Sequence, residues 1–348
     1  MPKEFSCCFC TGSYKFTIFA RMLGESAIAV VIPCFNVEKE IEKVVEGIPS
    51  WIDEIVLVND ASSDGTAAII EELKEKAPDR IRSVTHPVNQ GVGGAVMTGM
   101  KAVLQRGISD IVVKIDGDGQ MDPDFLEPLL RPLVDNCADF TKGNRFRDFK
   151  ALKKMPFIRR IGNMGLSLLI KSASGYWNLF DPSNGFFAVK KENIQALDFE
   201  RLDRRFFFES SLIIELYYTG AVVKDIPIPA CYNEEKSNLS ELKCLISFPG
   251  KLLRALFRRI AIRYFIMDFS IVSLYILLGV PLFLFGFIFG LAKWIYYASL
   301  SVPAPTGTIL IATLCIVLGF QLILGFIQYD MSASNPFKNN NDGKKAEK

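Results

Sequence analysis

The chain has 348 residues, enough for one α/β core of roughly 200 residues with attachments. Its 40 Lys and Arg against 38 Asp and Glu leave a net charge of +2, so no basic excess points to nucleic acid as a partner. The eight cysteines are mostly scattered singly, which suits a reducing compartment, and the group Cys7, Cys8 and Cys10 lacks the His or second Cys pair of a zinc set.

Residues 1–26 hold no apolar stretch with a small-residue cleavage site, so they are expected to form an N-terminal extension rather than a signal peptide. From there short β-branched runs alternate with helical patterns. Residues 27–33 (AIAVVIP) predict a strand, 37–48 a helix, 55–58 a strand, 66–76 a helix, 81–85 a strand, 94–105 a helix and 111–115 a strand. That alternation predicts an α/β domain over 27–240, a mainly parallel sheet flanked by helices.

In such sheets ligands collect where strands end at their carboxyl edge. Three polar segments fall there: Pro33 to Asn36, Asn59 to Asp64, and Asp116-Gly117-Asp118-Gly119-Gln120. Two carboxylates one residue apart on a glycine-relieved turn suit a hard divalent cation, Mg2+ or Mn2+, which would neutralise a diphosphate. Asp60 is expected to accept from a base N–H, and Asp64 to cap the next helix. The glycines of Gly91-Val92-Gly93-Gly94 keep only part of a dinucleotide-binding spacing and are assigned to close packing. His86, the only histidine, is not expected to be the base.

Farther on, Lys142, Arg145 and Arg147 offer cations at phosphate-binding reach. Asp181 in DPSNG precedes a strand-like run at 186–189, where it would take a proton or orient substrate hydroxyls. Glu209 follows RRFFF, and a helix starting near Phe208 explains it as a favourable N-terminal acid.

Hydrophobicity changes character in the last third. Residues 269–292 and 308–328 are long uncharged runs, each able to cross about 30 Å of hydrocarbon, joined by a short connection. Lys and Arg crowd the outer flanks of this 266–330 hairpin, which predicts cytoplasmic termini, including the 331–348 tail, and a cytoplasmic catalytic domain. The segment 241–265 alternates apolar and basic residues at helical spacing; it is expected either to lie in the membrane interface with its bases toward headgroups or to precede the crossing and snorkel.

Together these segments resemble the family-2 glycosyltransferases of GT-A fold, and more narrowly the polyprenyl-phosphate glycosyltransferases that include dolichol-phosphate mannose synthases and GtrB-type enzymes. VIPCFNVEKEI resembles the opening motif and implies that Pro33, Asn36 and Glu38 lie beside the nucleotide. NDASSDGT is similar to the DDGSxDGT turn, implying Asp60 as the base-binding residue. DGDGQ matches the metal motif, with Asp116 and Asp118 as ligands and Gln120 in support. GNRF, DPSNGFFAVKK and the EEKSNL loop imply phosphate contacts for Arg145, an acceptor role for Asp181 and closure by Lys236 over phosphate.

The resemblance implies inverting transfer of a hexose, glucose from UDP-glucose first, to an undecaprenyl-type phosphate at the bilayer, by a homo-oligomer expected to be a tetramer. Transfer of mannose from GDP-mannose, or of a sugar to a lipid hydroxyl, keeps the same donor site. The cations Arg145, Lys236 and the Arg258/Arg259 region favour a phosphate acceptor. No QxxRW motif supports a processive synthase, and an intact Asp116/Asp118 pair speaks against a non-enzymatic scaffold.

Overall fold

The computed structural model describes residues 26–145, 157–180, 184–228 and 241–333. Seven strands form one sheet: β1 Ile28–Cys34, β2 Glu54–Asn59, β3 Ile81–Thr85, β4 Ile111–Lys114, β5 Phe140–Asn144, β6 Phe187–Lys190 and β7 Val223–Pro227, in the order β3-β2-β1-β4-β6-β5-β7. All run the same way except β6, which pairs antiparallel with both β4 and β5. The reversal matters for the site. Because β6 begins where its neighbours end, with Phe187 opposite both Lys114 and Lys142, the residues entering it are delivered to the carboxyl edge of the sheet.

Every residue of β2 and β4 is buried, which is why their sequences run apolar without alternation. Alternate residues of β1 feed two cores. Val30 and Ile32 pack with helices α1 (Ile41–Gly47), α2 (Thr66–Lys76) and α4 (Leu126–Val134) on one face. Ala29 and Val31 pack with α3 (Val92–Arg106), α6 (Lys191–Gln195) and α7 (Phe208–Tyr218) on the other. A Cβ on Gly93 would clash with the Asp203 carbonyl, so this glycine serves close packing, as expected from the sequence, and one on Gly99 would clash with Val31.

The predicted elements recur with small shifts. The first helix begins at Ile41 rather than 37: residues 38–40 form a turn ahead of it, and Val37 and Glu38 donate their N–H groups to Thr66 Oγ1 (2.9 Å) and Asp64 Oδ2 (3.2 Å).

Helix α5 (Phe157–Ser174) and the long helix α8 (Glu241–Ala261) lie against α7 through Ile170, Ile214 and Leu252. A π-helical turn, Ile262–Met267, leads to α9 (Ile271–Ser299) and α10 (Thr306–Ser332). These two have mean hydropathies of 2.5 and 2.6 over their most apolar windows, yet only 22% and 17% of those windows are buried. A soluble protein would hide such helices in its core; here their Leu, Ile and Phe side chains point outward, as a lipid environment requires. They pack as a hairpin on small residues: a Cβ on Gly286 would come within 2.8 Å of Cys315 Cβ, and one on Gly319 within 2.8 Å of Phe283 Cα.

Candidate active site

The turn after β4 is shaped by its glycines. Gly119 takes φ +71, and a Cβ on Gly117 would stand 3.2 Å from the Pro33 carbonyl, so the DGD turn lies directly on the end of β1. Asp118 Oδ1 accepts from the Gln120 N–H at 3.0 Å, and the Asp116 N–H donates to Met121 Sδ at 3.2 Å. Asp116, Asp118 and Gln120 line one cleft of about 130 Å³ together with Asp122, Arg145, Asn184 and Gly185. Four of the residues expected from the sequence thus share one wall: Asp116, Asp118, Gln120 and Arg145.

Behind that wall sits a charge cluster that the sequence alone does not reveal. Lys114, 1% exposed, places Nζ 2.5 Å from Asp116 Oδ1 and 3.6 Å from Glu209 Oε1. Burial opposes a charge on Lys114, but Asp116 and then Glu209 outweigh it and lift the ammonium above its usual range. Burial raises the Glu209 carboxyl against the pull of Lys114. Glu209 does stand in the first turn of α7, yet its side chain also faces Lys114 behind the cleft wall. Gly185 completes the cluster, since a Cβ there would collide with Lys114 Nζ and stand 2.9 Å from Asp116 Oδ2.

The loops after β1 and β2 clip to each other beside this cleft. Asn36, at φ 54, accepts from the Ser63 N–H (2.9 Å) through Oδ1, while its own N–H donates to Ser62 Oγ (3.1 Å). Glu38 Oε2 accepts from the Gly65 N–H at 2.7 Å. Asp64 accepts from the Thr66 N–H at 3.1 Å and so satisfies the first N–H of α2, although the N-cap position expected for it is taken by Gly65.

Asp60 has an occupation the sequence did not indicate. Its carboxylate is turned inward, 3% exposed, and accepts from the Gln90 and Gly91 N–H groups, each at 2.8 Å, while His86 Nδ1 lies 2.7 Å from Oδ1. Its oxygens therefore hold the loop of residues 86–91. His86 Nε2 meets Thr98 Oγ1 at 2.9 Å, so the imidazole is part of the same brace. Burial pushes the Cys34 thiol up to about 12, leaving it inert beside the site.

The Arg258/Arg259 region, counted with Arg145 and Lys236 as cations favouring a phosphate acceptor, is engaged by carboxylates of the protein instead. Arg258 Nη1 donates to Glu215 Oε1 at 2.5 Å, and Arg259, 1% exposed, pairs with Asp330 at 2.7 Å. The helix turns these bases toward the protein because carboxylates on α7 and α10 wait there. Arg147, Asp181 and Lys236 lie outside the described residues.

A hard dication fits the donor set. Asp116 and Asp118 present carboxylates on one cleft, and among the described residues no cluster of three or more His, Cys, Asp or Glu forms a complete protein cage. Such a site suits Mg2+ or Mn2+, which take one or two carboxylates and fill the remaining positions with phosphate oxygens and water.

Residues 29–197 match glycosyl transferase family 2. The chain is 30% identical to UDP-N-acetylglucosamine–dolichyl-phosphate N-acetylglucosaminyltransferase of Methanococcus voltae, over 61% of this chain and 88% of the relative. It is 27% identical to polyprenol monophosphomannose synthase of Mycolicibacterium smegmatis, over 61% of this chain and 80% of that protein. In fold it is similar to glucosyl-3-phosphoglycerate synthase of Mycobacterium tuberculosis, crystallised with Mn2+, UDP and glucosyl-3-phosphoglycerate, at a TM-score of 0.51 and 20% identity over 74% of this chain and 86% of that one.

Proposed function

The chain belongs to glycosyl transferase family 2, and from that premise we propose that it transfers a hexose from a nucleoside-diphosphate sugar to a polyprenyl phosphate at a membrane surface, with inversion at the anomeric carbon. The observation that carries this reading is the position of the cleft: Asp116, Asp118 and Arg145 line it, and the same domain is bonded to a pair of membrane-length apolar helices. Relatives that use dolichyl or polyprenol phosphate agree with it.

Chemically, an oxygen of the acceptor phosphate forms the bond to the sugar C1 as the bond from C1 to the donor diphosphate breaks. A phosphate monoester is already nucleophilic, so the protein's task is orientation and charge. Mg2+ or Mn2+ held by Asp116 and Asp118, with Gln120 in support, would supply positive charge to the departing diphosphate. Arg145 adds a guanidinium suited to paired phosphate oxygens. Pro33, Asn36 and Glu38 build the nucleotide side, with Asp60 bracing the loop against it. Asp181 is assigned to orienting the acceptor and Lys236 to closure over phosphate.

UDP-glucose is the donor we place first, ahead of GDP-mannose, and a lipid hydroxyl remains the second acceptor. The catalytic domain and both termini are assigned to the cytoplasmic side, and the enzyme to a homo-oligomer, a tetramer by resemblance. Purified protein given a panel of UDP- and GDP-sugars, polyprenyl phosphate or diacylglycerol, and Mg2+ or Mn2+ should yield a polyprenyl-phosphate hexose by mass spectrometry. A glycosylated diacylglycerol instead would replace the acceptor, and no transfer by folded, inserted protein would sink the reading. Asp116→Asn and Asp118→Asn should each lower turnover about 100-fold or more.

A further inference from the structure

Asp330 lies in the last turn of α10, at the end of a helix that is otherwise free of charge. Its side chain is 1% exposed. Burying a carboxylate there requires partners, and they come from both sides of the molecule. Arg259 Nη1 and Nη2 donate to its two oxygens at 2.8 and 2.7 Å, and the Tyr264 hydroxyl to Oδ1 at 2.6 Å. The fourth donor is Trp177 Nε1, 2.9 Å from Oδ2. Trp177 belongs to the sugar-transfer domain, 153 residues away in sequence.

From Trp177 the chain runs on toward the cleft. Three residues later, the Phe180 N–H donates to Asp225 Oδ2 at 2.5 Å, and the same oxygen accepts from Asn144 Nδ2 at 3.1 Å. Asn144 ends β5, and its neighbour Arg145 lines the cleft. Asn184, also in the cleft wall, donates to the Gly143 carbonyl at 2.9 Å. Lys171 Nζ sits 3.7 Å from the centre of the Phe180 ring and closes the segment from the α5 side. A run of polar contacts thus extends from the end of the second apolar helix to the residues beside Asp116.

We propose that Asp330 is a positioning residue which, through Trp177, fixes the segment Tyr176–Phe180 relative to the membrane hairpin and thereby sets how the lipid phosphate meets the cleft. This rests on the polyprenyl-phosphate reading of the acceptor. Asp330 reaches this segment through Trp177 and touches no reacting group. Its loss should therefore act on the acceptor and spare the donor, whose side of the site is built from the loops after β1 and β2.

The test uses full-length protein in lipid nanodiscs. Trp177→Phe keeps an aromatic, though smaller, side chain but removes the N–H, and leaves the Arg259–Asp330 pair to hold the hairpin; Asp330→Asn is the stronger second variant. Expected are faster amide hydrogen exchange over residues 176–180 and an acceptor KM raised about three- to tenfold, the size of one lost hydrogen bond. Donor KM should stay within about twofold. Unchanged exchange in a folded Trp177→Phe protein, or equal changes in both KM values, would overturn the proposal. A wild-type protein that forms no polyprenyl-phosphate sugar would remove the acceptor reading and this role together. An active wild type with unaltered variants would remove this role alone.

Discussion

Lys114 Nζ lies 2.5 Å from Asp116 Oδ1, so one carboxylate of the DGD turn carries a buried counter-ion supplied by the strand that presents it. Lys114→Met would leave Asp116 and Glu209 facing each other without that cation. Breaking a buried pair from one side costs about 3–5 kcal/mol, and the variant should melt well below wild type. A divalent cation can restore part of the missing charge. Thermal unfolding with and without Mn2+ should therefore show a larger metal-dependent rise in Tm for Lys114→Met than for wild type; equal rises would refute this charge balance.

Gly185→Ala probes the same cluster from the segment that enters β6. Its Cβ has no room unless Lys114 and Asp116 both move. Transfer should fall at least tenfold, because a small misplacement of a charged group is expensive in a preorganised site. Circular dichroism and membrane insertion should be unchanged, since Gly185 precedes β6 and lies in the cleft wall, away from the apolar hairpin. Near-normal turnover would mean that the cluster tolerates displacement.

How much of this was legible in the sequence depends on whether the signal was local. The helix at 66–76 and the strand at 81–85 appear as predicted, because their caps and turns are written beside them. The DGD turn was legible for the same reason. Lys114 was not: a lysine closing an apolar strand looks like a solvated end, and only the reversed strand β6, whose pairing is non-local, buries it. Glu209 was hidden by a sufficient local explanation as a helix N-terminal acid. Helical periodicity located the basic face of α8, but it could not say that Glu215 and Asp330 would meet that face in place of lipid or phosphate.

Asp60→Asn should separate bracing from charge. The amide retains one acceptor oxygen, while its NH2 group must face one of the N–H donors of Gln90 or Gly91, or His86. An unsatisfied buried donor costs about 1–3 kcal/mol. Faster hydrogen exchange over residues 86–91, with a raised donor KM, is the expected result. Raised donor KM with unaltered exchange would instead assign Asp60 to direct nucleotide contact.

Asp64 gives a pH-dependent prediction whose sign follows from its hydrogen bonds. A burial penalty acts upward on its carboxyl, but bonds from Thr66 and the Glu38 N–H together hold it below its ordinary 3.8. A carboxyl whose folded value is depressed stabilises the fold above its unfolded pKa and loses that contribution as pH falls through the folded value. Asp64→Ala removes the bonds that its carboxylate accepts from the Thr66 and Glu38 N–H groups, at a cost of about 1 kcal/mol near neutrality. The stability gap between wild type and Asp64→Ala should therefore be flat from pH 7 to about 5, narrow below about 3.8, and close once Asp64 is protonated in the fold as well. Measuring the difference cancels the other acids, which titrate in both proteins. Chemical unfolding of the pair across this range decides the point: a gap that widened on acidification would mean that the Asp64 carboxyl is raised rather than lowered in the fold.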